Sequence, residues 1–178
     1  MDGAFDGLTV AEMEQRADLI VVGTLNGQRE YVHKSFLTGF NIEKVIKGPN
    51  LSDCRSIMVF EPVGIYDRPS GKTLVPSGAY MLGGTFMRSG STYVLFLKRA
   101  SDSISDAIDA DGFVMLNSPY AKLAVDNYPS YKIETDAEYR TPLSEYLDYD
   151  VVVADRQSLE IYQSICSDAS MLINGKSE

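Results

Sequence analysis

The chain has 178 residues, 44% hydrophobic and 23% charged, a balance that argues against intrinsic disorder and suits one domain with a sizeable core. Its net charge of −9 opposes attraction to phosphate backbones and anionic lipid, so no nucleic-acid partner is expected. No window holds the roughly 18 apolar residues that span a bilayer, so no membrane insertion is expected.

In chain order, the first element expected is a short helix after Thr9. Thr9 is a natural N-cap, Glu12 stands where a capping box needs it, and Leu8 with Met13 forms a hydrophobic staple. Leu19-Ile-Val-Val-Gly-Thr-Leu25 follows as a β-branched strand without polar alternation, which places it centrally in a sheet. Asn26-Gly27 carries turn chemistry and is expected to end that strand. A long strand then runs from about Ser35 to Lys47. Phe36, Phe40 and Ile42 share a parity that Val45 does not, so a bulge is expected near Glu43-Lys44, bending the strand around a barrel corner. A third strand covers Ser56–Glu61.

Pro62 to Gly78 is punctuated by prolines and glycines and reads as a long loop, long enough to be a candidate recognition element. Tyr80-Met-Leu82 and Thr92–Leu97 read as the two arms of a central hairpin turning at Arg88-Ser-Gly-Ser91, with Gly83-Gly84 as a bulge. An acidic connection follows over 101–112, then a short strand Gly112–Leu116. Tyr120, Tyr128, Tyr131, Tyr139, Tyr146 and Tyr149 crowd the next segment, within which Thr141-Pro142 reads as a helix start. Leu159, Tyr162 and Ile165 fall at helical spacing after Asp155, and a C-terminal amphipathic helix closes the chain. The fold class is mainly β with flanking helices. Residues 1–178 read as a single domain, with a barrel core over 8–120 and the Tyr-rich acidic segment and last helix, 121–178, packed on it.

The chemistry-bearing residues make no catalytic set. His33 is the only imidazole and sits in a polar connector, without a serine in a nucleophile-elbow context. One histidine and two distant cysteines do not supply a zinc site, and no cofactor motif is found. Asp109-Ala-Asp-Gly112 echoes the middle of a calcium loop, but Ala107 and Ser118 stand where the first ligand and the bidentate glutamate belong. Gly83-Gly84 leads into no phosphate-binding pattern. Cys54 and Cys166 are either two thiols or one long-range disulfide.

Three stretches in order, Ala17-Asp-Leu-Ile-Val-Val-Gly-Thr24, Phe40-Asn-Ile-Glu-Lys-Val-Ile-Lys-Gly48, and Ser77-Gly-Ala-Tyr80 leading to Tyr93-Val-Leu-Phe-Leu-Lys98, resemble the bacterial relatives of the tissue-inhibitor-of-metalloproteinases and netrin-like domains. The resemblance spans roughly residues 8 to 120. It implies a small Greek-key barrel of the OB type, closed or partly open, with helices at both ends. In the inhibitors an amino-terminal cysteine chelates the protease zinc, whereas this chain begins Met1-Asp-Gly-Ala4, so no inhibitory residue carries over.

The function expected is therefore a non-enzymatic binding module that presents loops to a protein or surface glycan. Its candidate contact residues are Tyr66, Asp67 and Arg68 in the Pro/Gly loop, with Tyr128 and Tyr131 on the acidic flank. A protease inhibitor acting through loop 62–78 is the first alternative, because a proline-rich loop loses less entropy on docking. An enzyme of unrecognised type is the second. The expected setting is extracytoplasmic, with the export signal absent from this chain; a cytoplasmic setting stays open.

Overall fold

The computed structural model describes residues 8–32, 35–49, 51, 55–61, 63–69, 71–76, 85–102, 112–116, 118–125, 129–134, 144 and 147–175. Its elements are α1 (Val10–Arg16), β1 (Leu19–Val32), β2 (Ser35–Lys47), β3 (Ser56–Glu61), β4 (Val63–Arg68), β5 (Gly71–Pro76), β6 (Thr92–Arg99), β7 (Gly112–Met115), β8 (Lys122–Ala124), β9 (Tyr131–Ile133), β10 (Val151–Val153) and α2 (Arg156–Gly175).

Five strands close on themselves in the order β1-β2-β3-β7-β6, with β6 returning to pair with β1. Every neighbouring pair is antiparallel except β3 with β7, which is parallel. That order, with its single parallel pair, is the Greek-key barrel of the OB type, and closure by β6 on β1 leaves these strands no open sheet edge along the paired stretch. β6 is the hub. One edge pairs with β1 from Thr92 to Leu97, and the other is shared between β8 at Tyr93–Leu95 and β7 at Leu97–Arg99. Tyr93 to Leu97 are all fully buried, as a run without polar alternation requires.

The helices complete the core. Thr9 Oγ1 accepts from the Glu12 amide at 3.2 Å, and the Glu12 carboxylate accepts from the Thr9 amide at 2.9 Å, so the capping box forms as its spacing predicts. Asp155 caps α2 by accepting from the Ser158 amide at 2.7 Å. Leu159, Tyr162, Ile165 and Ala169 of α2 join Met13, Ala17, Leu19 and Phe96 in one continuous core.

Two of the three register shifts between β1 and β2 bear on the sequence reading. Val22 pairs with Lys44 and Gly23 with Ile42, so Glu43 is an extra residue on β2 and the expected bulge is present. The barrel requires glycine at the facing position. A Cβ on Gly23 would lie 1.8 Å from the Asn41 carbonyl oxygen. The expected turn at Asn26-Gly27 is instead a second bulge inside β1. Register passes from Leu25↔Phe40 to Arg29↔Thr38, Gly27 takes φ +93°, and Asn26 Oδ1 accepts from the Gln28 amide at 2.8 Å. The Asn-Gly pair satisfies its own main chain locally and the strand continues, so the reversal falls after Val32, which pairs with Ser35.

The segment expected as a loop over 62–78 contains a hairpin. β4 and β5 pair antiparallel from Val63↔Pro76 to Arg68↔Gly71, forming a two-stranded sheet of their own. Prolines misled the reading: Pro76 occupies a strand end, a position that needs no ladder donor. Of the central hairpin expected between Tyr80 and Leu97, the second arm is β6, which pairs with β1, β7 and β8. Its first arm, Tyr80–Leu82, and Gly83-Gly84 lie outside the described residues, as do His33 and most of the acidic connection. Beyond the barrel, the Tyr-rich segment contributes β8 and the parallel pair β9–β10, elements too short to leave a periodic pattern.

Candidate functional site

Thr85 to Arg88 runs from the hairpin side of the barrel to the start of β6 without a ladder partner among the described residues. Thr85, Phe86 and Met87 are nevertheless buried, so their polar groups need partners. Four side chains and one main-chain carbonyl supply them. The Met87 amide donates to Glu61 Oε2 at 2.6 Å, and Met87 O accepts from Arg29 Nη2 at 2.7 Å. Thr85 O accepts from Lys122 Nζ at 2.5 Å, and the Arg88 amide donates to the Tyr93 hydroxyl at 2.8 Å. Thr85 Oγ1 donates to the Asp150 carbonyl at 2.6 Å.

Each clamp residue is fixed in turn. Glu61 ends β3, fully buried, and its Oε1 accepts from Thr38 Oγ1 at 2.5 Å and from Arg29 Nη2 at 2.9 Å. The Arg29 guanidinium lies over the Phe86 ring, 4.8 Å from its centroid. Asp150 accepts from the Tyr93 hydroxyl at 2.6 Å and from the Ser130 amide at 2.8 Å, and it pairs with Arg88 at 3.1 Å. Arg88 also donates to Ser130 Oγ. Lys122, the first residue of β8, donates additionally to Thr85 Oγ1 at 3.0 Å, and its ammonium lies 5.4 Å from the centroid of the Tyr93 ring.

Burial sets the ionisation of this cluster. It pulls the Lys122 ammonium down to about 8, against the opposing pull of the Glu61 and Asp150 carboxylates. Burial raises Tyr93 well above the ordinary phenol range, and the bond it donates to Asp150 adds to that. Burial alone would raise Asp150, but the bonds from Tyr93 and Ser130 and the charge of Arg88 outweigh it and hold the carboxyl below its usual range. The Lys122 ammonium is a donor committed to Thr85, and the Thr85 hydroxyl is committed to the Asp150 carbonyl.

The surface around this clamp is more open. Phe86 packs with Val63 at the base of the hairpin and with Val152 of β10, and Phe36 and Tyr149 pack against them. Tyr31 packs tilted against Phe36, ring centroids 4.9 Å apart, and is half exposed. On the barrel wall beside the β1 bulge an open groove of about 500 Å³ is lined by Gln28, Arg29, Glu30, Leu37 and Met58. Tyr131 and Ile133 of β9, with Leu147, are further exposed apolar side chains.

Of the residues expected to make contact, Tyr66, Asp67 and Arg68 lie at the far end of β4, where Arg68 and Gly71 form the last pair of the hairpin. Tyr131 is 46% exposed on β9. Tyr128 and Cys54 fall outside the described residues. Cys166 is a free thiol on the half-buried side of α2. The clamp itself was missed by sequence reading. Its one available signal is Glu61, which shares the inward parity of Ile57 and Val59 and so places a carboxylate inside a barrel, where it must find donors. Among the described residues, no group of histidine, cysteine and carboxylate side chains has the arrangement of a metal site.

No protein-family model matches the chain, and a search of curated proteins finds no match.

Proposed function

We propose that this chain is a non-enzymatic binding module, extracytoplasmic in setting, that contacts a protein partner with the end of the barrel carrying the β4–β5 hairpin. The observation that carries the reading is the hairpin itself: a two-stranded sheet separate from the barrel sheet and anchored at its base by buried Val63. An isolated two-stranded hairpin is marginal in water, so this one depends on its base or on what it contacts. Tyr31 beside that base and Tyr131 on β9 add exposed aromatic surface, the side-chain type that dominates binding energy at protein interfaces. The buried charges among the described residues are spent on holding Thr85–Arg88, which favours binding over catalysis. The likeness to the netrin-like and metalloproteinase-inhibitor domains points the same way, through the Greek-key barrel order.

The test uses a shortened hairpin. Replacing residues 65–74 by Asn-Gly leaves Gly64 and Val75 flanking a two-residue turn and keeps buried Val63 in place. The immobilised native chain is expected to retain a component of a cell-envelope extract that the shortened chain, folded by circular dichroism, does not retain. Protease treatment of the extract should abolish retention. Retention that survives protease and is lost after periodate would make the ligand a glycan, and equal retention by both chains would overturn the assignment to the hairpin. Inhibition of a protease in a panel assay by the native chain alone would make the partner a protease.

A further inference from the structure

The clamp has an uneven charge count. Arg29, Arg88 and Lys122 are three cations, and the carboxylates among them are two, Glu61 and Asp150. Each carboxylate is paired directly with an arginine. Lys122 is the surplus charge: among the described residues its ammonium meets the Thr85 carbonyl, the Thr85 hydroxyl and the Tyr93 ring, and its side chain is buried. Arginine does not give up its proton in proteins, so the lysine alone can bring the cluster to neutrality from the cationic side.

We propose that the cluster is a proton-operated latch on Thr85–Arg88, in which loss of one proton from Lys122 balances the buried charges and tightens the hold on the segment. Among the described residues, the charges acting on Lys122 are Glu61 from β3, Asp150 ahead of β10 and Arg29 from β1; the Tyr93 ring of β6 lies beside it, and Arg88 of the segment pairs with Asp150. Neutral lysine still donates to the Thr85 carbonyl, so the clamp's main-chain bond survives the change. The direction follows from linkage. Lys122 holds its proton to about 8 when the segment is docked and to an ordinary lysine value when it is released, so between those limits the released form binds more protons and rising pH favours docking. Because Phe86 packs on Val63, a tighter segment also stiffens the base of the hairpin. The latch does not depend on the binding reading and is tested without a partner.

Amide exchange at Met87 and Arg88 reports opening of the segment directly. After correction for intrinsic exchange, both amides are expected to slow by about tenfold from pH 7 to pH 9, the factor that a shift from 10.5 to about 8 implies at pH 9. In Lys122→Arg, whose charge is fixed, protection should not change over that range. An unchanged rate in the native chain, or the same slowing in the arginine variant, overturns the latch. Should the arginine variant fail to fold, the Lys122 side-chain resonance of the native chain decides: a midpoint near 8 supports the latch, and one near 10.5 removes it.

Discussion

Glu61→Gln isolates the charge at the centre of the clamp. The substitution keeps volume and shape, so no cavity opens. All three partners of Glu61 are donors: the Thr38 hydroxyl at 2.5 Å, the Arg29 guanidinium at 2.9 Å and the Met87 amide at 2.6 Å. A glutamine can offer one oxygen to them, but its amide nitrogen must then face a donor, and that donor is left buried without an acceptor. Arg29, largely buried, also loses its counter-charge. Breaking a buried pair by removing one partner costs about 3–5 kcal/mol, and partial exposure of Arg29 favours the lower figure. A loss of about 3 kcal/mol in urea unfolding is expected, or roughly 6–12 °C in Tm for a domain of this size. Met87 amide protection should fall with it. A loss below about 1 kcal/mol, with Met87 still protected, would show that the segment is held by something other than this carboxylate.

Gly23→Ala drives a Cβ to 1.8 Å from the Asn41 carbonyl oxygen, so it should leave no folded protein in a solubility and circular-dichroism comparison; Gly27→Ala, with open space but φ +93°, should cost only about 1 kcal/mol. Burial pushes the Cys166 thiol up to about 11, despite the Tyr162 hydroxyl that favours its thiolate. In a Cys54→Ser background, its disulfide-reagent kinetics at pH 8 should be about a hundredfold slower in the native than in the unfolded chain. Equal rates would place that thiol in solvent. Asp150 is depressed in the folded state, so the stability it contributes is present above the ordinary aspartate range and lost as pH falls below it. The stability gap between the native chain and Asp150→Asn, read by urea unfolding, should therefore close below about pH 4, and a gap independent of pH would refute the assignment.

The barrel was legible where one strand carries its own evidence. Leu19–Leu25 and Thr92–Leu97 are apolar on both parities and became the paired, buried strands at the centre. The parity change between Ile42 and Val45 located the Glu43 bulge, because a one-residue insertion moves every later side chain to the other face. Asn26-Gly27 misled because the same pair that reverses a hairpin also stabilises a bulge, and only the partner strand distinguishes the two. The hairpin at β4–β5 was hidden by prolines at its ends. The clamp was the least legible part. Its members come from β1, β3, β6, β8 and the approach to β10, and no local pattern links Arg29 to Met87 or Lys122 to Thr85, which are joined only when the barrel closes. Tyr93 illustrates the difficulty: within its strand it is one more buried aromatic, and only the hydroxyl's position between Arg88 and Asp150 gives it a second task.

If the hairpin end is the contact surface proposed above, site-specific photo-crosslinking will capture the partner there. A photoreactive residue in place of exposed Pro69 at the hairpin end is compared with one in place of exposed Gln163 on α2. A discrete protein adduct from position 69 in envelope extract, absent from position 163 and competed by unlabelled native chain, is the result expected. Adducts from 163 alone, or equal adducts from both positions, would place the contact surface elsewhere.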